Sequence, residues 1–253
     1  MSASSRESAP SAKGTQLDHP PALSGDDVHI WRIALDRSDV DRDRSLLSSD
    51  ELARADRFVQ ARDRIHFAAG RAALRGILAG YLGTAPDQFG FSYARAGKPA
   101  LGGQWASSGI QFNLSHSQAV GLLAISRERS LGIDIEWMNP ATSVMEICER
   151  FFSECEISTL RKLPENEKLA GFFQCWTRKE AFIKAVGEGL SIPLDSFDVS
   201  FGNDPAALKS VRSEFTDVSH WKLYDLPIQE GYAAALVAEG NHHKLSHWRW
   251  NHG

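Results

Sequence analysis

Near the start of the chain, apolar side chains fall at Val28, Ile30, Trp31 and Ile33, and this pattern predicts a first strand over 28–33. The period then lengthens. Leu52, Ala55 and Phe58 recur at helical spacing, with Ser48 or Ser49 suited to the N-cap and Asp50 and Glu51 to the first turn. Ile65, Ala69, Leu74, Ile77, Leu78 and Leu82 predict a second helix over 62–82, stopped by Gly83. Short strands follow at 89–93, 110–114, 119–126 and 132–136, with turn chemistry at Ala96-Gly97-Lys98-Pro99 and Gly102-Gly103.

After Glu136 the order begins again. A short helix is predicted over 143–151, and Ser153 with Glu154 and Glu156 reads as another helix start. A long helix over 166–186 stops at Gly187-Glu188-Gly189, and strands fall at 197–201, 221–225 and 232–238. Helices followed by antiparallel-looking strands, twice over, predict an α+β fold of two lobes. The expected division is a disordered leader over 1–24, an N-terminal lobe over 25–136, a C-terminal lobe over 137–240 and a polar tail over 241–253. No close sequence repeat accompanies the repeated order, so duplication rests on element order alone.

Composition narrows the function classes. The chain has 253 residues, 42% of them hydrophobic, enough for one large core or two small ones. A formal net charge of -4 argues against bulk nucleic-acid or anionic-membrane binding. No apolar run approaches the roughly 20 residues of a membrane-spanning helix. The first residues are rich in Ser, Ala and Pro and lack the apolar centre of a signal peptide. Cys148, Cys155 and Cys175 are odd in number and lack metal-ligand spacing, which points to a reduced, cytoplasmic protein. His242, His243 and His247 gather in a polar stretch and are not expected to bind metal.

Two short motifs carry the chemistry. In Gly132-Ile133-Asp134-Ile135-Glu136, period two puts both carboxylates on one strand face and both isoleucines on the other. Two such acids repel unless a cation lies between them, and hard oxygen ligands favour Mg²⁺ or Mn²⁺. In Trp176-Thr177-Arg178-Lys179-Glu180-Ala181-Phe182-Ile183-Lys184-Ala185, Glu180 and Lys184 share a helix face. Three acids and a lysine suit phosphoryl chemistry. Each motif alone also has a plain reading: a solvated strand end for the first, and a surface ion pair worth a few tenths of a kcal/mol for the second.

The strings Phe112-Asn113-Leu114-Ser115-His116-Ser117, Gly132 to Glu136, and Trp176-x-x-Lys179-Glu180-Ala181-Phe182-x-Lys184-Ala185 together resemble the 4′-phosphopantetheinyl transferases. Within them the chain is similar to the long, surfactin-synthetase-activating (Sfp) type. Ala96-Gly97-Lys98-Pro99, Phe58-x-x-Ala61-Arg62-Asp63 and Phe151-Phe152-Ser153 add to the resemblance, which runs from about residue 30 to 240. It implies a pseudo-twofold pair of α+β lobes, each with a mainly antiparallel sheet, and coenzyme A between them. It implies transfer of phosphopantetheine from coenzyme A to a serine of an apo acyl or peptidyl carrier protein, Mg²⁺-dependent, with release of adenosine 3′,5′-bisphosphate. A monomer is expected, since one chain would supply both sides of the cleft.

The resemblance also implies roles. Asp134, Glu136 and Glu180 would hold the metal, with Glu180 alternatively the base for the carrier serine. Lys184 would neutralise the leaving phosphate. Ser115 and His116 would face the coenzyme's phosphates, Lys98 its nucleotide end, and Arg62 the 3′-phosphate, with Arg54 and Arg71 as weaker candidates. Where some family members carry basic residues, this chain has Glu51 and His66. Phe172, Phe173 and Trp176 are expected in the core. Met145, Ile147, Phe151, Phe152, Ile157 and Leu160 are either core or a carrier-docking face bordered by Arg150, Arg161 and Lys162. Fatty-acid, polyketide and nonribosomal-peptide carriers all remain open. Two other classes stay in view: a divalent-metal nuclease, disfavoured by the net charge and by the helical spacing of acid and lysine, and a non-catalytic coenzyme A or carrier-binding module.

Overall fold

A computed structural model of the protein describes residues 20–36, 39–95, 97–187, 192–211 and 217–251. The predicted turn residues Ala96, Glu188 and Gly189, and residues 1–19 of the expected leader, lie outside the described residues.

The chain lays down one sequence of elements twice. The first set is β1 (Asp27–Ala34), α1 (Val40–Ser45), α2 (Ser49–Ala55), α3 (Ala61–Leu82), β2 (Phe91–Tyr93), β3 (Pro99–Leu101), β4 (Ile110–Ser117) and β5 (Val120–Arg127). The second is β6 (Leu131–Trp137), α4 (Val144–Phe151), α5 (Glu154–Lys162), α6 (Glu165–Val186), β7 (Phe197–Val199), β8 (Leu208–Val211), β9 (Trp221–Asp225) and β10 (Tyr232–Glu239). In the first, β5 lies between β1 and β4; in the second, β10 lies between β6 and β9; every one of these pairings is antiparallel. Two lobes of the same topology thus arise from halves without close sequence similarity.

Strand periodicity decides the layers. On one face of the first sheet, Trp31, Ile33, Leu123 and Ile125 pack with Leu74, Ile77 and Leu78 of α3. On the other face, Val28, Ile30, Leu122 and Ala124 pack with Ile133, Ile135 and Leu236 of the second sheet. Ala235 and Val237 then turn outward to Ala181, Phe182 and Ala185 of α6. The order of layers is α3, sheet, sheet, α6. Burying each large side chain of the middle layer contributes about 1.5–3 kcal/mol, so the two lobes hold each other in place.

The long helices end alike. α3 and α6 are each 22 residues and stop at left-handed Gly83 and Gly187, with φ of 63° and 83°. Helices α2 and α5 begin on capping residues: Glu51 Oε2 accepts from Ser48 N at 3.0 Å, and Ser153 and Glu156 close a reciprocal box.

Several expectations are corrected. The segment 241–253 is not simply a polar tail: Lys244–Trp250 forms β11, paired in parallel with β1 along its length. Its histidines and Arg249 disguised a period-two pattern in which Trp248 and Trp250 share a face. The leader is not wholly outside the fold, because Leu23 is buried in the first core and its carbonyl accepts from Arg127. β6 belongs by pairing to the second sheet, so the division between lobes precedes it rather than following Glu136. β4 continues past the predicted end at 114 to Ser117, because pairing with β5 persists up to the tight turn at Gln118 and Ala119. The short elements α1, β3 and β8 carry too few apolar residues to show a period. Among the described residues, no helix is long and apolar enough to cross a membrane.

Candidate active site

The site forms where β6 meets α6 and the edge of β4. Ile133 and Ile135 point into the core between the sheets, which turns Gly132, Asp134 and Glu136 toward α6. β4 runs beside β6 in the same direction, joined to it through its side chains. Asn113 Oδ1 accepts from Ile133 N at 2.9 Å, Ser115 Oγ donates to Asp134 Oδ1 at 2.8 Å, and Ser117 Oγ donates to Glu136 Oε2 at 2.9 Å. Ser117 Oγ also accepts from Trp137 N at 3.0 Å. From α6, the Lys184 ammonium donates to Asp134 Oδ1 at 2.6 Å and to Ser115 Oγ at 3.0 Å. Glu180 stands one turn earlier on the same helix face, half-buried.

Charge is crowded here. Asp134 is 2% exposed, and its Oδ2 is buried with no hydrogen-bond partner. Burial raises the Asp134 pKa, against the opposing pull of Lys184 and Ser115. Glu136 and Glu180 are likewise raised, first by burial and then by the negative charge of Asp134. Among the described residues no three carboxylate, histidine or cysteine groups converge with the spacing of a finished metal centre. The chemistry of the donors nonetheless fits a divalent cation. All three are hard carboxylates, they destabilise one another, and an unpartnered buried oxygen such as Asp134 Oδ2 costs free energy until a partner meets it.

A second rim lies on the other face of β4. His116 stands among Asp63 and His66 of α3 and Lys184 of α6. The walls of the cleft and the charges of His66 and Lys184 lower its pKa, against a weaker pull from Asp63. His66 is lowered too, chiefly by burial and then by Arg62. Arg62 itself is largely exposed and pairs loosely with its neighbour Asp63, Nε to Oδ1 at 3.5 Å. Two histidines held toward neutrality and the exposed guanidinium of Arg62 line this rim.

The other expected residues distribute differently. Lys98 lies in the turn between β2 and β3, but its ammonium donates to Leu131 O at 2.8 Å and Lys184 O at 2.7 Å. Burial pulls its pKa down to about 8. Arg71 is buried beside Glu51 with Arg75, its guanidinium bonded to the Tyr93 hydroxyl, away from the carboxylates. Arg54 lies over the Phe67 ring. Within the α6 motif, Trp176 packs on Phe151, Phe152 and Phe172, as expected of core. Arg178 bonds Asp225, and fully buried Lys179 pairs with Glu156 at 2.8 Å and bonds the carbonyls of Leu194 and Phe197. Of the charged motif residues, only Glu180 and Lys184 face the site. Phe152, Ile157 and Leu160 are core, whereas Met145 and Ile147 are partly buried and Phe151 is exposed.

Sequence reasoning assigned no role to Asn113, Ser117 or His66. The first two were signalled by the period-two run 113, 115, 117 beside the acids, and His66 by its place one helical turn after Arg62.

Comparison with known proteins identifies the family. The family described as 4′-phosphopantetheinyl transferase superfamily matches residues 130–237, and the one described as 4′-phosphopantetheinyl transferase, N-terminal, matches 35–128. The two matches meet at the turn between β5 and β6. The chain is 40% identical over 241 residues to 4′-phosphopantetheinyl transferase HetI of Nostoc sp., covering 93% of this chain and 98% of that protein. It is 33% identical to a 4′-phosphopantetheinyl transferase of Bacillus subtilis, covering 70% of this chain and 78% of that one. It is 31% identical to 4′-phosphopantetheinyl transferase Sfp of Bacillus subtilis (strain 168), covering 83% of this chain and 92% of that one.

Proposed function

This chain belongs to the 4′-phosphopantetheinyl transferase superfamily, and we propose that the cleft between β4, β6 and α6 is where it carries out that transfer. It is an enzyme that moves 4′-phosphopantetheine from coenzyme A to a serine of an apo carrier protein. The observation that carries the assignment of the site is the junction of Lys184, Asp134 and Ser115, which joins α6, β6 and β4 beside an unpartnered carboxylate oxygen.

In the proposed mechanism, Glu180 takes the proton from the carrier serine hydroxyl. Its raised pKa makes it a stronger base than an exposed carboxylate. The serine oxygen then forms a bond to the phosphorus that bears the pantetheine arm. The bond from that phosphorus to the bridging oxygen breaks, and adenosine 3′,5′-bisphosphate leaves with the electron pair. Lys184, already held against Asp134, lies ready to neutralise charge on the departing phosphate. Ser115 orients both of these groups. His116 and Arg62 are the proposed contacts for the coenzyme's 3′-phosphate, a task that suits a guanidinium fork.

Asp134 and Glu136 are the residues that would hold a divalent cation, Mg²⁺ or Mn²⁺, with Glu180 a third ligand in the alternative in which it is not the base. Such an ion, when bound, neutralises charge on pyrophosphate oxygens. The carrier, acyl or peptidyl, is proposed to approach beside α4, where Met145, Ile147 and Phe151 are not fully covered. One chain furnishes both walls of the cleft, which supports a monomer.

Intact-protein mass spectrometry tests the reading. Apo carriers of the fatty-acid, polyketide and nonribosomal-peptide types are incubated with the enzyme and coenzyme A, with Mg²⁺, with chelator, and with Glu180→Gln. A mass gain of one phosphopantetheine group that requires both metal and Glu180 is the expected result. No gain on any carrier supports a binding module instead, and a gain that survives chelator overturns the roles of Asp134 and Glu136.

A further inference from the structure

Three features meet under the last turns of α6. The first is the absence of a side chain at Gly132. A Cβ there would lie 2.2 Å from Ala181 O, 2.3 Å from Ala185 N and 2.7 Å from Lys184 C. These are helix backbone atoms that no rotamer change can move aside, so α6 rides directly on the β6 backbone. The second is Lys98, whose ammonium crosses from the first lobe to bond Leu131 O, next to Gly132 on β6, and Lys184 O, on the helix above it. The third is the helix end itself. The Lys184 carbonyl belongs to the last turn of α6, where carbonyls lack intrahelical donors and a cation is favoured.

We propose that Lys98 and Gly132 form a seat that fixes α6 on β6, so that Lys98 is a positioning residue for Glu180 and Lys184 rather than a contact for the nucleotide. The inference rests on the transferase reading above. The seat grips both partners of the Lys184–Asp134 ion pair: Lys184 is held by its own carbonyl while its side chain reaches Asp134, and Leu131 and Gly132 lead into Asp134. The contacts among Lys184, Ser115 and Asp134 span 2.6 to 3.0 Å, so small displacements of α6 remove them. A shift of about 1 Å in such a constellation lowers turnover about 100-fold. A lysine is suited to the seat because it offers three donors on a long stem, two of which are used here.

The test compares full-length wild type, Lys98→Met and Lys98→Arg. The methionine keeps the length of the stem and loses the donors; the arginine keeps donors and charge. Three quantities are read: kcat and KM for coenzyme A in carrier modification, the affinity for adenosine 3′,5′-bisphosphate by calorimetry, and hydrogen exchange of the backbone amides at 181–187. Lys98→Met is expected to lower kcat roughly 10- to 100-fold with KM and bisphosphate affinity within about twofold, and Lys98→Arg to recover most of the loss. Exchange at 181–187 is expected to quicken at least about fivefold in Lys98→Met. A bisphosphate affinity that falls about tenfold with kcat retained makes Lys98 a nucleotide contact and overturns the proposal. So does unchanged kcat with unchanged exchange.

If Lys98→Met does not fold, Lys98→Arg and Gly132→Ala carry the same comparison. The proposal then falls if Gly132→Ala keeps wild-type kcat and exchange. If wild type itself modifies no carrier, the transferase reading fails, and the exchange measurement still decides whether the seat exists.

Discussion

The two lobes share one topology, yet among the described residues only α6 of the two long helices brings a charged pair onto the strand it covers, and the site there draws Ser115 and Ser117 from the other lobe. In α6, Glu180 and Lys184 precede the left-handed Gly187 by the same steps as Gly76 and Gly80 precede Gly83 in α3. β11 lies parallel to β1 as β4 runs beside β6. Where β4 brings Ser115 and Ser117 to two carboxylates, β11 brings Trp248 to Trp31 and lays Trp250 over Gly76. A Cβ at Gly76 would lie 2.6 Å from the Trp250 ring, and one at Gly80 2.4 Å from the Pro20 ring. His29 and Trp31 of β1 both bond the Tyr81 hydroxyl. The matching cleft in the first lobe is therefore filled by aromatic rings and by the segment before β1. Duplication supplies the scaffold twice, and a handful of positions decide whether a cleft is packed or charged. The charged one keeps three carboxylates whose pKa values are raised by burial, those of Glu136 and Glu180 further by the charge of Asp134, a local instability that the surrounding fold sustains.

The largest test of that contrast is Glu180→Gln. The amide keeps the size of the side chain and removes the base, so carrier modification is expected to fall about 10²- to 10⁴-fold with the melting temperature unchanged. Retained turnover would break the assignment of chemistry to the cleft between β4, β6 and α6. Asp134→Asn comes next. It is expected to lower turnover about 100-fold and to leave the melting temperature level or slightly higher, because a buried carboxylate with an unpartnered oxygen is replaced by a neutral group. A large loss of stability instead would mean that the Asp134–Lys184 pair is structural.

The first lobe should answer in the opposite way. Gly76→Ala gains about 1 kcal/mol of helix propensity but crowds Trp250, and overpacking of this kind costs about 1–3 kcal/mol. The expected outcome in thermal unfolding is a net loss of up to about 2 kcal/mol with kcat and KM unchanged. A loss of turnover as large as that of Asp134→Asn would show that the packed cleft under α3 is not separate from the chemistry at α6.

Much of this division can be read in the sequence, and the misses have physical causes. The long helices and the strands of both cores show because an uninterrupted apolar period survives over many residues, as in Leu74, Ile77 and Leu78. The candidate site residues Asp134, Glu136, Glu180 and Lys184 show because charge on an otherwise apolar strand or helix face stands out. β11 does not, since Ser246, His247 and Arg249 dilute its pattern and its partner β1 is at the far end of the chain. Lys98 is misleading for a different reason. A lysine in a Gly-Lys-Pro turn reads as a group aimed at solvent or ligand, and only the fold reveals two backbone carbonyls beside it. The packing of Gly76 and Gly80 is equally silent, because a glycine gives no sign of which ring covers it.

The smallest effect sharpens the comparison at the rim. The first helix of the first lobe, α1, is polar throughout, with Asp41, Arg42, Asp43, Arg44 and Ser45 after Val40. Its counterpart α4 carries Val144, Met145, Ile147 and Phe151. Phe151 is 36% exposed, with the Arg150 guanidinium over its ring. An apolar anchor beside a cation suits the surface of an acidic helical carrier. Truncation of such an anchor is expected to raise KM for the carrier about three- to tenfold in Phe151→Ala, with KM for coenzyme A and kcat at saturating carrier held. The same ring also meets Trp176 edge-on at 6.1 Å, so some loss of stability is expected as well. What separates docking from packing is the split between substrates. A change that raised both KM values together, or a melting temperature that fell with neither KM altered, would return Phe151 to the core and leave the carrier to another face.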